Sequence, residues 1–191
     1  MRKMLVLAVF GALLIAAYIA SIVTSFQGLA NAAKSGDAAE IIARTDMPRL
    51  RRSITDQILD AYLEKGTDKK PHNRMIANTY GASVADAMLA KFLTTENLTQ
   101  LLRTGSASDP FQGTNWDIPP LGAFDTSRIL DLVGRVRPIQ IKEIEFRISD
   151  TDTPETYSSI SLHLHGTTWQ LSGIRLPRPL IDKLSKALPR R

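Results

Sequence analysis

The chain has 191 residues, 24 Lys and Arg against 19 Asp and Glu, and a formal net charge of +5. That length fits one domain with an appendage, and apolar and charged fractions of 43% and 23% exclude wholesale disorder and collagen-like architecture. The absence of cysteine excludes disulfide scaffolds, thiolate zinc sites and thiol catalysis.

Residues 4–33 carry no charged side chain, and Met4–Val23 is almost wholly apolar. Twenty such residues in a helix rise about 30 Å, the thickness of a hydrocarbon core. Residues 1–24 are therefore read as a single-pass transmembrane anchor, with the membrane contacted through residues 4–23. Arg2 and Lys3 ahead of the run keep the N-terminus cytoplasmic and send residues 25–191 across. A cleaved signal peptide is the competing reading, with small residues at Ala30-Asn31-Ala32. An i, i+4 stripe runs on through Tyr18, Ile22, Phe26, Leu29, Ala30 and Ala33, so one helix of roughly 30 residues is expected to leave the bilayer and dock on the domain.

Helices are expected over residues 25–105. Gly36 suits a left-handed C-cap, and Asp37-x-x-Glu40 reads as a capping box opening a second helix. Asp46-Met47-Pro48 starts a third, whose Met47, Leu50, Ile54, Ile58, Leu59, Tyr62 and Leu63 recur at helical spacing before Gly66. A fourth is predicted over about Met75–Leu93, weakened at Gly81. Thr94 or Thr95 caps a fifth, which carries Leu98, Leu101 and Leu102 and closes at Gly105. Residues 106–122, rich in Pro, Gly, Ser and Asp, read as a long loop containing Phe111 and Trp116.

The sheet and a terminal helix are expected over residues 123–191. Ile129–Val133 reads as a short helix. Ile139 and Ile141 alternate with polar residues, and Ile144, Phe146 and Ile148 alternate in opposite phase, which predicts one strand bulged at Lys142-Glu143. Ile160, Leu162 and Leu164 mark the next strand. Gly166-Thr167 fits a two-residue hairpin that sets Leu164 against Trp169 and Leu162 against Leu171 on one face. A phase slip at Ser172-Gly173 precedes Ile174 and Leu176. Pro177 and Pro179 introduce the last helix, with Ile181, Leu184 and Leu188 inward. The fold class is thus α+β: an N-terminal transmembrane helix, helices, about three antiparallel strands and a terminal helix.

The anchor ending in Tyr18, LANAAKSGDAAEIIARTDMPRLRRSI over 29–54, the capped stretch 93–102 and TWQLSGIRLP over 167–177 together resemble a bacterial family catalogued as domain of unknown function 2939. The resemblance implies a single-anchor envelope protein: bacterial inner membrane, N-terminus cytoplasmic, C-terminal domain periplasmic, with no activity to carry over. The helix-then-sheet order is also similar to nuclear-transport-factor-like cone folds.

His163 and His165 share one strand face, and Glu143 joins them if it lies opposite Ser161 or His163, so the three are the weak metal candidates. The plainer reading is the wet face of a half-buried sheet. Arg49, Arg51 and Arg52 read either as an anion site or as surface bases paired with Asp46 or Asp56. Arg175–Arg191 holds six basic residues and one acid, a tail for anionic lipid or an acidic partner. Phe111 and Trp116 are weak ligand-binding candidates at an open end of the sheet.

No Gly-x-Ser-x-Gly elbow, Gly-rich phosphate loop, His-Glu-x-x-His or dinucleotide fingerprint occurs, so no cofactor and no catalytic residue are expected. A domain facing away from the cytoplasm without a recognition motif is not expected to bind nucleic acid. The expected function is a non-enzymatic binding or interaction module. The alternatives are a small metal-assisted hydrolase on the His163/His165 face, or a structural envelope protein with a lipid-contacting basic C-terminal helix.

Overall fold

A computed structural model describes residues 2–65, 82–87, 89–90, 93–106, 120–121, 134–149, 153 and 155–187. The uncharged N-terminal segment forms one unbroken helix, α1 (Arg2–Ser35, 34 residues). Its two halves differ in environment. Side chains from Met4 to Ile15 stand free of the protein, whereas Ile22, Val23, Phe26, Leu29, Ala30, Ala32 and Ala33 are buried in the main core. The predicted stripe is therefore the docking face of the second half.

Gly36 ends α1 in the left-handed region, at φ 72°. Asp37 caps α2 (Ala38–Ala43) by accepting the Glu40 N–H at 3.0 Å. Only this half of the capping box forms, because the Glu40 carboxylate turns forward to Arg44 one helical turn on. The Asp46 carboxylate accepts the Arg49 N–H and opens α3 (Met47–Lys65), which buries Leu50, Ile54, Ile58, Leu59 and Ala61.

Residues 82–87 and 89–90 are helical, with Ala85 and Leu89 buried; the rest of the helix expected over Met75–Leu93 lies mainly outside the described residues. Thr94 caps α4 (Thr95–Thr104), and Gly105 closes it at φ 76°. Most of the 106–122 loop, including Phe111 and Trp116, and the short helix expected at Ile129–Val133 lie outside the described residues. Leu121 is buried.

The sheet has four antiparallel strands in sequence order: β1 (Val136–Gln140), β2 (Glu143–Arg147), β3 (Ser159–His165) and β4 (Thr168–Arg175). Four strands replace the expected three. The phase reversal at Lys142-Glu143 is a chain reversal rather than a bulge: Gln140 pairs with Glu143 around a two-residue turn, Ile141-Lys142. Ile-Lys carries no Gly, Asn or Asp to announce a tight hairpin, so alternation alone misassigned the turn. The β3–β4 hairpin has the expected register, with Leu164 opposite Trp169, Leu162 opposite Leu171 and Gly166 at φ 61°. The second phase slip is a bulge: Ser161 pairs with Gly173 and Leu162 with Leu171, which leaves Ser172 extra.

Ile144, Phe146, Ile148, Ile160, Leu162, Trp169, Leu171 and Ile174 supply the sheet's share of the core. Phe26 of α1 stacks on Phe146, ring centroids 4.3 Å apart. α3 closes over β4, and the Gln57 amide reads the bulged strand by donating to Ile174 O and accepting Leu176 N–H. The outer edge of β4 is not free. Asp46 N–H donates to Leu171 O, and Leu171 N–H to Arg44 O, so the α2–α3 link protects that edge. α5 (Arg178–Ala187) returns against α3 with Leu180, Ile181 and Leu184 buried; Leu188 lies outside the described residues.

Candidate functional site

Two polar neighbourhoods and one aromatic collar hold the chemistry-bearing side chains. The collar forms where α1 passes from its exposed to its buried half. Tyr18 donates its hydroxyl to Ile141 O at 2.7 Å, tying α1 to the β1–β2 turn. The Tyr18 ring meets the Trp169 ring edge-on at 5.7 Å, and Trp169 Nε1–H donates to Ser21 Oγ at 3.1 Å. Ser21 passes its own proton back to Tyr18 O. An apolar ring with a polar tip suits the boundary between oil and water. Antiparallel order puts both hairpin turns, Ile141-Lys142 and Gly166-Thr167, at this same end of the sheet.

The metal candidates lie on the polar face near that end. Glu143 stands directly opposite His163, which faces Gln170 on its other side; His165 pairs with Thr168 beside the turn. The condition for Glu143 to share the histidine face, a place opposite Ser161 or His163, is therefore met. His163 is half-buried, its Nδ1 enclosed without a hydrogen-bond partner, and His165 is exposed. Among the described residues, no group of three or more His, Asp or Glu side chains converges closely enough to hold a metal ion. Adjacency on a strand brings Cα atoms together without aiming three donors at one point.

The most enclosed carboxylate on the face is Glu145, which the sequence reading passed over. It accepts from the Ser159 and Tyr157 hydroxyls, and Arg175 Nε stands 3.7 Å away. Arg175 also lies over the Tyr157 ring, 5.7 Å from its centroid. Burial, followed by the Glu145 charge, pushes the Tyr157 phenol above its ordinary value. Ser159 is fully buried, so its hydroxyl anchors Glu145 and is closed to a substrate. The signal in the sequence was the Glu-x-Glu-x-Arg alternation of β2, which places Glu145 on the same face as Ser159 across the ladder.

The basic clusters are partly neutralised. Arg49 pairs with Asp46 at 3.3 Å; Arg51 is half-buried and Arg52 exposed. In the C-terminal segment Arg178 bridges Glu64 of α3 and Asp182 of its own helix, which clasps α5 to the body. Lys183 and Lys186 remain exposed, and Arg190 and Arg191 lie outside the described residues.

α1 is the one helix among the described residues long and apolar enough to cross a membrane. No curated protein and no solved structure matches the chain. A family model described as a protein of unknown function (DUF2939) matches residues 11–101, from the exposed half of α1 into α4. The match ends before the sheet, so the 167–177 stretch that resembled the family lies beyond it. Over residues 11–101 the chain is therefore similar to that family, whose function is not established.

Proposed function

We propose that the protein is a permanently membrane-tethered, non-enzymatic interaction module. In this reading the first half of α1 crosses a bacterial inner membrane once, N-terminus cytoplasmic, and holds the α+β body on the periplasmic face. The observation that carries the reading is the division of one continuous helix between an exposed apolar half and a half that belongs to the core. Cleavage at Ala30-Asn31-Ala32 would remove Ile22, Val23, Phe26 and Leu29 from the body. At about 1.5–3 kcal/mol for each large apolar side chain, that loss is roughly 6–12 kcal/mol, comparable with the whole stability of a domain. Arg2 and Lys3 support the orientation, since cationic flanks stay on the cytoplasmic side. The locked state of Glu145 and the closed position of Ser159 support a role other than catalysis.

Orientation is tested by cysteine accessibility, for which the cysteine-free chain is a clean background. Asp56→Cys on the exposed side of α3 is expected to react with a membrane-impermeant maleimide in intact cells whose outer membrane has been permeabilised. Reaction only after lysis would overturn the periplasmic placement.

A further inference from the structure

The β1–β2 turn presents apolar side chains that the fold leaves uncovered. Ile141 is 85% exposed and Ile139 49% exposed; outside α1, no other large apolar residue among the described ones is classed as exposed. A β-branched residue at the crown of a two-residue turn has no local conformational advantage. Its position in the fold is specific. The Ile141 carbonyl accepts the Tyr18 hydroxyl, so the turn is fixed beside α1 where its exposed apolar surface ends.

The length of that surface bears on where the turn sits. Apart from half-buried Gly11 and Tyr18, residues from Met4 up to Ala20 are exposed, while Ile22 and Val23 are buried in the core. Those 17 or so residues rise about 25 Å, roughly 5 Å short of a hydrocarbon core of about 30 Å. A short span is accommodated by local thinning and by drawing its flanks towards the bilayer. The body therefore has no slack in its tether, and the element fixed next to Tyr18 is held at headgroup depth. Lys142, exposed at the tip, is placed to reach phosphates while Ile139 and Ile141 lie against the acyl boundary.

We propose that the β1–β2 tip, Ile139, Ile141 and Lys142, is a second membrane contact: a shallow wedge in the lipid interface that fixes the orientation of the sheet on the bilayer. The proposal rests on the reading of α1 as a membrane-embedded anchor. Its occupant is the lipid interface, because the patch is continuous with the apolar surface of α1 through Tyr18 and carries a cation at its crown. One consequence is that the polar face bearing Glu143, His163 and His165 begins at the headgroup layer.

The test uses the full chain in phosphatidylethanolamine–phosphatidylglycerol vesicles, with single cysteines carrying an environment-sensitive fluorophore at Leu7→Cys, Ile141→Cys or Asp56→Cys. Leu7 reports the anchor and Asp56 the solvent. The expected result is that the Ile141 label shifts to the blue and loses emission to a lipid-borne quencher, as the Leu7 label does. Aqueous iodide should quench only the Asp56 label strongly. If the Leu7 label is lipid-quenched while the Ile141 label responds only to iodide, the wedge is refuted and the anchor stands. If the Leu7 label is not lipid-quenched, the anchor reading fails and the wedge with it. An Ile141 label shielded from both quenchers would assign the tip to a protein partner and would also refute the wedge.

Discussion

Phe10 and Phe26 lie on the same helix, and the structure gives their truncation opposite consequences. Phe26 is 1% exposed and stacks on Phe146 at 4.3 Å, inside the core that joins α1 to the sheet. Phe10 projects from the exposed half, without a place in the core. Removing a buried phenylalanine costs about 3–5 kcal/mol, a sum of lost transfer energy and a residual cavity. Roughly 0.5–1.5 kcal/mol of that belongs to the aromatic pair itself. For a body of this size each kcal/mol moves the midpoint by about 2–4 °C, so Phe26→Ala should lower it by about 6–20 °C. Phe10→Ala should leave it within about 1–2 °C, since substitutions outside packed contacts stay near ±0.5 kcal/mol. The assay is thermal unfolding of the full chain in detergent micelles, followed by near-ultraviolet circular dichroism. A double-mutant cycle with Phe146→Leu then isolates the ring–ring contribution. Equal shifts for Phe10→Ala and Phe26→Ala would refute the division of α1 into an exposed half and a core half.

Three further outcomes follow from the sheet. A side chain begun at Gly173 would put its Cβ 2.8 Å from Ser53 Oγ of α3, so Gly173→Val should destabilise the body by about 1–3 kcal/mol in urea titration, and Ser53→Gly should recover part of the loss. Replacing His163 and His165 together by Ala should shift the melting midpoint by no more than a few degrees. Adding zinc should stabilise neither form, and a zinc-dependent rise in the wild type alone would revive the metal reading. Because the folded protein holds the Tyr157 phenol above its ordinary value near 10, the folded state binds more protons than the unfolded chain above that pH. Stability from this group is intact below about pH 10 and is lost as pH rises through the folded value. Tyr157→Phe should remove that alkaline component from a stability–pH series, and an unchanged slope would contradict the assignment.

How far the fold was legible depended on whether local chemistry marked its own boundaries. Gly36, Asp37, Thr94 and Gly105 each terminate a helix where their backbone or side-chain preferences place them. Gly166-Thr167 set the β3–β4 register, because the turn chemistry and the apolar face agree. The β1–β2 hairpin was missed because Ile141-Lys142 has no turn chemistry. A reversal of alternation looks the same for a bulge as for a chain that doubles back. The reciprocal half of the capping box failed for a different reason. Arg44 lies one turn after Glu40, and an ion pair along the helix outcompeted the backbone N–H for the carboxylate.

The candidate site was legible in register and illegible in convergence. Alternation placed His163 and His165 on one face and left Glu143 conditional on its cross-strand partner, which only the β2–β3 ladder supplies; whether the side chains meet depends further on strand twist and on rotamers that spacing does not encode. Glu145 shows the converse. Its enclosure depends on Tyr157 and Ser159 across the ladder and on Arg175 two strands away, contacts that exist only after the sheet has formed. The aromatic collar joins Tyr18 to Trp169 across most of the chain, and only the docking of α1 on β4 brings the rings together.

The central claim is that α1 is both tether and core and so stays in the mature protein. The most direct measurement is the intact mass of the protein recovered from cell membranes after alkaline carbonate extraction. The account predicts the full-length chain, with or without its initiator methionine, in the carbonate-resistant pellet. A carbonate-soluble species whose mass begins near Ala33 would contradict it, because a body folded without Phe26 and Leu29 could not have the core described above.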